Sequence, residues 1–468
     1  MLMFGRRAFF VKQQQRRLLS SVLIPHVPPV TKVTTLGNGF RVATERSVAE
    51  CETATVGVWI DAGSRYEAQI NNGAAHFLEH MAFKGTRRRS QRDLEVMIED
   101  MGAHLNAYTS REQTVYYAKL FKHDARKGVE VLSDILQHSL LEHRAIERER
   151  DVILREMEEV NKQREELLLD LLHAAAYENG GLGRTILGPE ENIQSLSQQD
   201  LKDYIETHYT APRMLVVAAG NVDHQEIVDL GDEFFGKVPQ FSKTNFAVDF
   251  ESAVFTPKEV RVQTSPEEES RAHVCLAFES ANWSSAYATP IMVLQHMLGQ
   301  WDRFNPSAGG IDSPYHLTRV FSEKELCHSY MHFNTCYRDT GLFGVYLVCP
   351  PETVGEAIHE VLSHFATLDS PEAFDQADVD RAKAQVKANI IAQLDALAHV
   401  CEEIGRQILT YNRRITLAEV LKRIDAITAE DVRATARHIL KHSQGHALAA
   451  YGQIQNVPDY QDCHISNH

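Results

Sequence analysis

No two of the seven cysteines stand at CxxC spacing: Cys51, Cys275, Cys327, Cys336, Cys349, Cys401 and Cys463 are odd in number and scattered along 468 residues. That argues against a disulfide framework and a cysteine zinc site, and points to a reducing compartment. Long hydrophobic runs are missing too. Nothing approaches the 18 or so apolar residues that cross a bilayer, so the chain is expected to have no transmembrane segment and to reach a membrane only through a partner. Acid is missing from the start of the chain, where Glu45 is the first acidic residue.

That acid-free opening, "MLMFGRRAFFVKQQQRRLLSS", carries Arg6, Arg7, Lys12, Arg16 and Arg17 among bulky apolar residues. It lacks the continuous apolar core and small-residue cleavage site of a secretory signal. An Arg-rich amphipathic opening is the composition of a mitochondrial transit peptide, expected over residues 1–19. Its loss would take the formal net charge from −16 to −21, because no acid leaves with those five bases. A surface that acidic repels nucleic acid and attracts basic peptides. The rest, with 43% apolar and 24% charged residues, is long enough for two or more globular domains.

Elements of α and β character alternate. "TATVGVWIDAG" (53–63) reads as a strand, "DLEVMIEDMG" (93–102) as a helix closed by Gly102, and "HLNAYTSREQTVYYAKL" as a strand-like run of alternating polarity. A charged, proline-free segment from about Ala145 to Tyr177 has helical periodicity. The segments 196–222 and 427–454 share a capping Ser197 or Thr428, an acid three residues on (Asp200 or Asp431), an amphipathic helix and a small-residue strand ending at Gly220 or Gly452. "GRTIL" at 183 and "GRQIL" at 405 stand at nearly the same separation. The spacing predicts two similar α/β halves, joined within the irregular stretch 237–269.

In "NNGAAHFLEHMAFKGT" (71–86), His76, Glu79 and His80 fall within five residues. On a helix, residues four apart share one face, so His76 and His80 can reach one ion. Glu79 is placed to take a proton from a water there. His-x-x-Glu-His is the inverse of the His-Glu-x-x-His zinc motif. A catalytic zinc needs a third protein ligand, and the charged segment offers Glu147, Glu149, Glu156, Glu158 and Glu159. At about 100° per residue, Glu149 and Glu156 lie within about 20° of each other, and Asp170 returns to within about 40° of Glu156, which makes one face an acidic stripe. Spacing alone does not choose among them.

"HFLEHMAFKGT", "GAHLNAYTSREQTVYYAK", "ERERDVILREMEEV", "LGRTILGPEENI", "TGLFGVYLV" and "VCEEIGRQILTYNRRI" together resemble the processing-peptidase branch of the pitrilysin-like inverzincin metallopeptidases, from about Val33 to Tyr460. The resemblance implies an α/β (α+β) chain of two homologous mixed domains, a catalytic one at 33–245 and a non-catalytic one at 260–460. It implies one zinc per chain on His76, His80 and Glu156, with Glu79 as general base and Glu149 supporting the site without ligating the ion. It also implies a substrate strand paired at Asn106 and Ala107, with Phe77 lining the cleft. Glu166 and Asp170 match the acidic pair that receives an arginine two residues before the cut.

The implied setting is the mitochondrial matrix, where a heterodimer with an α-type subunit removes basic presequences. The glycine-rich loop of that companion is absent here, since "PSAGGID" is a poor substitute, and the second half keeps only His296, in "VLQHMLGQW". The chain alone is therefore expected to be inactive. A second reading stays open: core 1 scaffold subunits of the cytochrome bc1 complex share the pattern, at the matrix side of the inner membrane, and in some lineages one chain serves both roles. Arg17-Leu18-Leu19-Ser20 resembles the pattern such peptidases cut, which places the expected mature N-terminus at or near Ser20.

Overall fold

The computed structural model describes residues 29–47, 51–242, 251–305, 310–442 and 445–463. The basic opening, the expected Ser20 terminus and residues 306–309 of "PSAGGID" lie outside the described residues.

Each half is built on a six-stranded mixed sheet. The first contains β1 (Thr31–Thr35), β2 (Arg41–Arg46), β3 (Thr53–Ile60), β4 (His104–Thr109), β5 (Thr114–Phe121) and β6 (Met214–Gly220), in the order β1-β2-β6-β3-β5-β4. The second contains β7 (Glu259–Gln263), β8 (Ala272–Ser280), β9 (Gln300–Asp302), β10 (Ser329–Cys336), β11 (Gly341–Cys349) and β12 (Ala447–Gly452), in the order β7-β12-β8-β11-β10-β9. Each has one parallel pair among the described residues, β2 with β6 and β7 with β12. Aligning those pairs superposes five strands in order and direction, so the fold is a duplicated α/β unit.

The repeat read from the sequence lies on equivalent elements. The hydroxyls of Ser197 and Thr428 accept from the backbone N–H of the acid three residues later, and their own backbone N–H groups donate to that acid's carboxylate, in reciprocal capping boxes. The helices they start, Gln198–His208 and Ala429–His442, feed the corresponding strands β6 and β12. The second match is a coincidence of letters. Gly183 ends a 3-10 turn (Gly181–Gly183), whereas Gly405 lies inside the helix Leu397–Tyr411, where a Cβ would come within 2.4 Å of the Trp59 ring.

The charged segment is also not one helix. It breaks at Gln163 (φ −82°, ψ 92°) into His143–Lys162 and Arg164–Ala176. The break sends the second helix across to the other half: Leu168, Leu172 and Ala176 pack with Cys275, Ala277, Leu342 and Ala449 on the second sheet. The second half reciprocates with Cys401, Ile404 and Ile408 of Leu397–Tyr411, which pack on Trp59, Leu215, Val217 and Ala219. Each half thus covers one face of the other's sheet, and the stripe extrapolated from Glu156 to Asp170 does not exist. "HLNAYTSREQTVYYAKL" is likewise a hairpin, β4 and β5, turning at Ser110–Gln113.

All seven cysteines are free, and no helix among the described residues is long and apolar enough to cross a membrane.

Candidate metal centre

The motif helix is short, Ala74–Met81, and packs its Ala75, Phe77, Leu78 and Met81 into the core of the first half. It begins at Gly73, whose φ of +105° suits glycine and whose missing Cβ leaves room for Leu187 O and Ile193. With its apolar face fixed inward, the helix presents His76, Glu79 and His80 towards helix His143–Lys162.

Of the five candidate acids on that helix, the fold selects one. Glu156 Oε2 lies 3.0 Å from His80 Nε2 and 3.7 Å from His76 Nε2, and the three ligand atoms all fall within 4.8 Å of one another. Ligands on a tetrahedral zinc stand roughly 3.3 Å apart, for bonds of about 2.0–2.1 Å. Glu147 is turned away onto Arg150 and Glu159 onto Lys162, while Glu158 is exposed. Glu149, two turns before Glu156, sits behind the site: its Oε2 is 3.4 Å from His80 Nδ1 and its Oε1 2.8 Å from Lys84 Nζ. A carboxylate on the far nitrogen of a ligating histidine fixes its tautomer and orientation.

The donor set fits a divalent cation such as zinc. His76 is 7% exposed, its Nδ1 is buried without a hydrogen-bond partner, and its Nε2 has only the Glu156 oxygen beyond hydrogen-bonding distance. Burial, with His80 nearby, lowers its pKa to about 4, so the ring is the neutral imidazole a metal needs. At His80 burial also pulls downward, but the hydrogen bond and charge of Glu156, with Glu79 and Glu149, reverse the balance and raise its pKa. Glu156 is lowered, chiefly by that same bond. A cation held by these groups would take the place of the proton between His80 and Glu156 that their hydrogen bond requires.

Glu79 stands beside this trio. Its carboxylate accepts a 2.7 Å hydrogen bond from Thr109 Oγ1 at the end of β4. Burial raises its pKa, opposed in part by the Thr109 bond. A carboxylate shifted upward is a stronger proton acceptor than a free one, and its acid form can still give the proton back.

Strand β4 is the edge of the first sheet, and both Asn106 and Ala107 lie on it. The Ala107 N–H is met by Asn106 Oδ1 at 2.9 Å, so a peptide adding to this edge must displace that amide. Phe77 does not line the cleft: it is fully buried, with the Arg150 guanidinium 5.9 Å from its ring centroid, and supports the motif helix from behind. Glu166 and Asp170 share helix Arg164–Ala176, with Glu166 exposed. Asp170 is not free, since its Oδ1 receives the buried Arg111 guanidinium at 2.5 Å. Oδ2 keeps acceptor capacity for a second guanidinium.

Family models match the chain in two consecutive stretches, the second of which takes in β6 of the first sheet. "Insulinase (Peptidase family M16)" matches residues 41–190 and "Peptidase M16 inactive domain" matches residues 195–386. A protein named mitochondrial-processing peptidase subunit beta, from Pongo abelii, is 46% identical over 98% of this chain and 91% of its own length. The chain belongs to peptidase family M16. Relatives of the same name from Rattus norvegicus (48% identical; 95% of this chain, 89% of that one) and Lentinula edodes (46%; 98% and 97%) are similar over equally long spans. A chain from complex III2 of Candida albicans, with Inz-5 bound, has the same fold at a TM-score of 0.80 and 23% identity, covering 92% of this chain and 98% of that one.

Among the described residues this M16 chain holds no second cluster able to bind a metal. In the second half His296 faces Met292 O and Asn389 instead of a partner imidazole. Sequence reasoning missed Lys84, Thr109 and Arg111. Thr109 lies two residues from Ala107 on the same strand, so alternation could have flagged it, whereas Lys84 stands beyond the end of the motif helix, where periodicity says nothing. Arg111 carried no local signal, because its partner is 59 residues away.

Proposed function

We propose that the chain is the catalytic β-type subunit of a zinc metalloendopeptidase that removes basic presequences from proteins imported into the mitochondrial matrix, in a heterodimer with an α-type subunit. The observation that carries this reading is the convergence of His76, His80 and Glu156 on one point with Glu79 beside it. When bound, zinc acts as a Lewis acid and brings the pKa of a coordinated water towards 7. His76, His80 and Glu156 hold the ion, and Glu149 with Lys84 fixes the His80 ring. Glu79 accepts the water's proton and returns it to the departing amide nitrogen. The β4 edge aligns the peptide as an added strand, so the cut is selected by backbone shape and by arginine recognition. The complete metal-binding set favours this over a scaffold role in the cytochrome bc1 complex, which needs none of these groups.

The test uses a synthetic peptide of residues 1–35 and mass spectrometry. The reconstituted heterodimer is expected to release a product beginning at or near Ser20, Arg17→Ala is expected to slow it, and the chain without its partner is expected to leave the peptide intact. No cleavage by a heterodimer active on other presequences would reject the self-processing site; no cleavage of any presequence would reject the function.

The acidic pair predicts a split between its members. Glu166→Gln is expected to lower kcat/KM for a peptide with arginine two residues before the cut by about tenfold relative to an alanine peptide, the worth of a charge-assisted bond of roughly 1.5 kcal/mol. Asp170→Asn is expected to narrow the same ratio and to cost up to about 3 kcal/mol of stability, because it strands the Arg111 guanidinium. A ratio untouched by both substitutions places arginine recognition elsewhere.

A further inference from the structure

The motif helix lacks what a short helix needs. It has eight residues and starts at a glycine with no side chain to cap it, yet its third and seventh residues are His76 and His80. So short a helix is marginal alone, and its first N–H groups have no partners within it. Those donors are met from outside. Glu67 Oε2 accepts from the Gly73 N–H at 2.9 Å and from Asn72 Nδ2 at 2.7 Å, and Glu67 Oε1 accepts from the Ala75 N–H at 2.7 Å. This carboxylate is only 3% exposed. Burying it so deeply is unfavourable unless its acceptor sites are filled, and here they are filled by the helix start.

Glu67 is itself held in place. The 3-10 turn Ser64–Tyr66 just before it is tied to the β4–β5 turn by Ser64 N–H to Ser110 O (3.3 Å) and Arg65 N–H to Arg111 O (2.8 Å). The Arg65 guanidinium reaches Glu112 at 2.8 Å and crosses to Asp339 of the second half at 2.6 and 2.7 Å. Ser110 adjoins Thr109, which holds Glu79. The same turn therefore references both the motif helix and the catalytic carboxylate.

We propose that Glu67 is a positioning residue for the metal centre, fixing the motif helix along its axis so that His76 and His80 stand where Glu156 can complete the ligand set. This rests on the zinc-peptidase reading above. It follows from geometry: a ligand set works only when held to about 0.5 Å, and Glu67 is the side chain that bonds the helix start nearest His76. Glu67→Gln keeps the shape but turns an amide NH2 towards donors, which leaves one of them unsatisfied.

The test uses the full chain, at a pH about one unit above the value of about 7 to which burial raises the Glu67 pKa. Zinc affinity is measured by chelator competition and the ligand field by visible absorption of the cobalt(II) form. Circular dichroism and the thermal midpoint confirm that each variant is folded. Folded Glu67→Gln is expected to bind zinc about ten- to a hundredfold more weakly, as outer partners of ligands do, and to show altered cobalt absorption. In the heterodimer kcat is expected to fall with KM little changed. If Glu67→Gln does not fold, Asn72→Ser removes one bond to the carboxylate and is expected to shift both readouts the same way by less. A folded variant with the wild-type zinc constant and cobalt spectrum overturns the assignment. A wild-type chain that binds neither ion overturns the peptidase reading beneath it.

Discussion

Glu79→Gln is expected to leave zinc and peptide binding at their wild-type levels and to lower kcat by about 10²–10⁴-fold, the range over which a positioned proton carrier acts. The amide is nearly isosteric with the carboxylate and its oxygen can still accept from Thr109 Oγ1, so the local packing survives. It cannot take a proton from water. The effect should therefore fall on kcat while peptide affinity, which the proposed function assigns to the β4 edge and the acidic helix, stays put. Measuring kcat and KM on one presequence peptide, with zinc content on the same sample, separates these quantities. A variant that keeps a tenth of the wild-type rate would remove Glu79 from the role of base.

Loss of a ligand should act on the metal itself. His76→Ala, His80→Ala and Glu156→Gln are each expected to drop zinc from about one per chain to below about a tenth after dialysis against a chelator, with activity falling in proportion. His80→Ala should be the most severe, because it also frees the Glu149 oxygen that now faces His80 Nδ1. Glu149→Gln is the informative contrast. It leaves all three ligands in place and should weaken zinc by about ten- to a hundredfold without abolishing binding. Elemental analysis and chelator competition on the four variants distinguish a ligand from its support. If all three ligand variants keep full zinc, the metal assignment fails.

What the sequence could and could not reveal follows from the range of each interaction. His76, Glu79 and His80 were legible because helical periodicity alone puts them on one face. Glu149 and Glu156 were legible as a pair for the same reason, but only the fold separates the candidate ligand from its neighbour: helix packing brings Glu156 to His80 Nε2 and leaves Glu149 on Nδ1. The periodicity argument failed where the backbone broke. Nothing local in "VNKQREE" announces a turn at Gln163, because the gain that pays for it is burial of Leu168 and Leu172 on the other half's sheet. The cleft position that the resemblance implies for Phe77 is not met, because the apolar face of the motif helix carries the side chain inward, where it is fully buried. The ion pair between Asp170 and Arg111 left no signal in the sequence, because Arg111 lies in a distant turn. Capping boxes, being local, were read correctly at both Ser197 and Thr428.

The most direct test of the zinc-peptidase account is a titration of the metal-free heterodimer with zinc while cleavage of a presequence peptide is followed. The account predicts that the rate rises linearly and stops rising at one zinc per heterodimer, with no rise for His80→Ala at the same additions. Full activity before any zinc is added, or an equal response from His80→Ala, would contradict it.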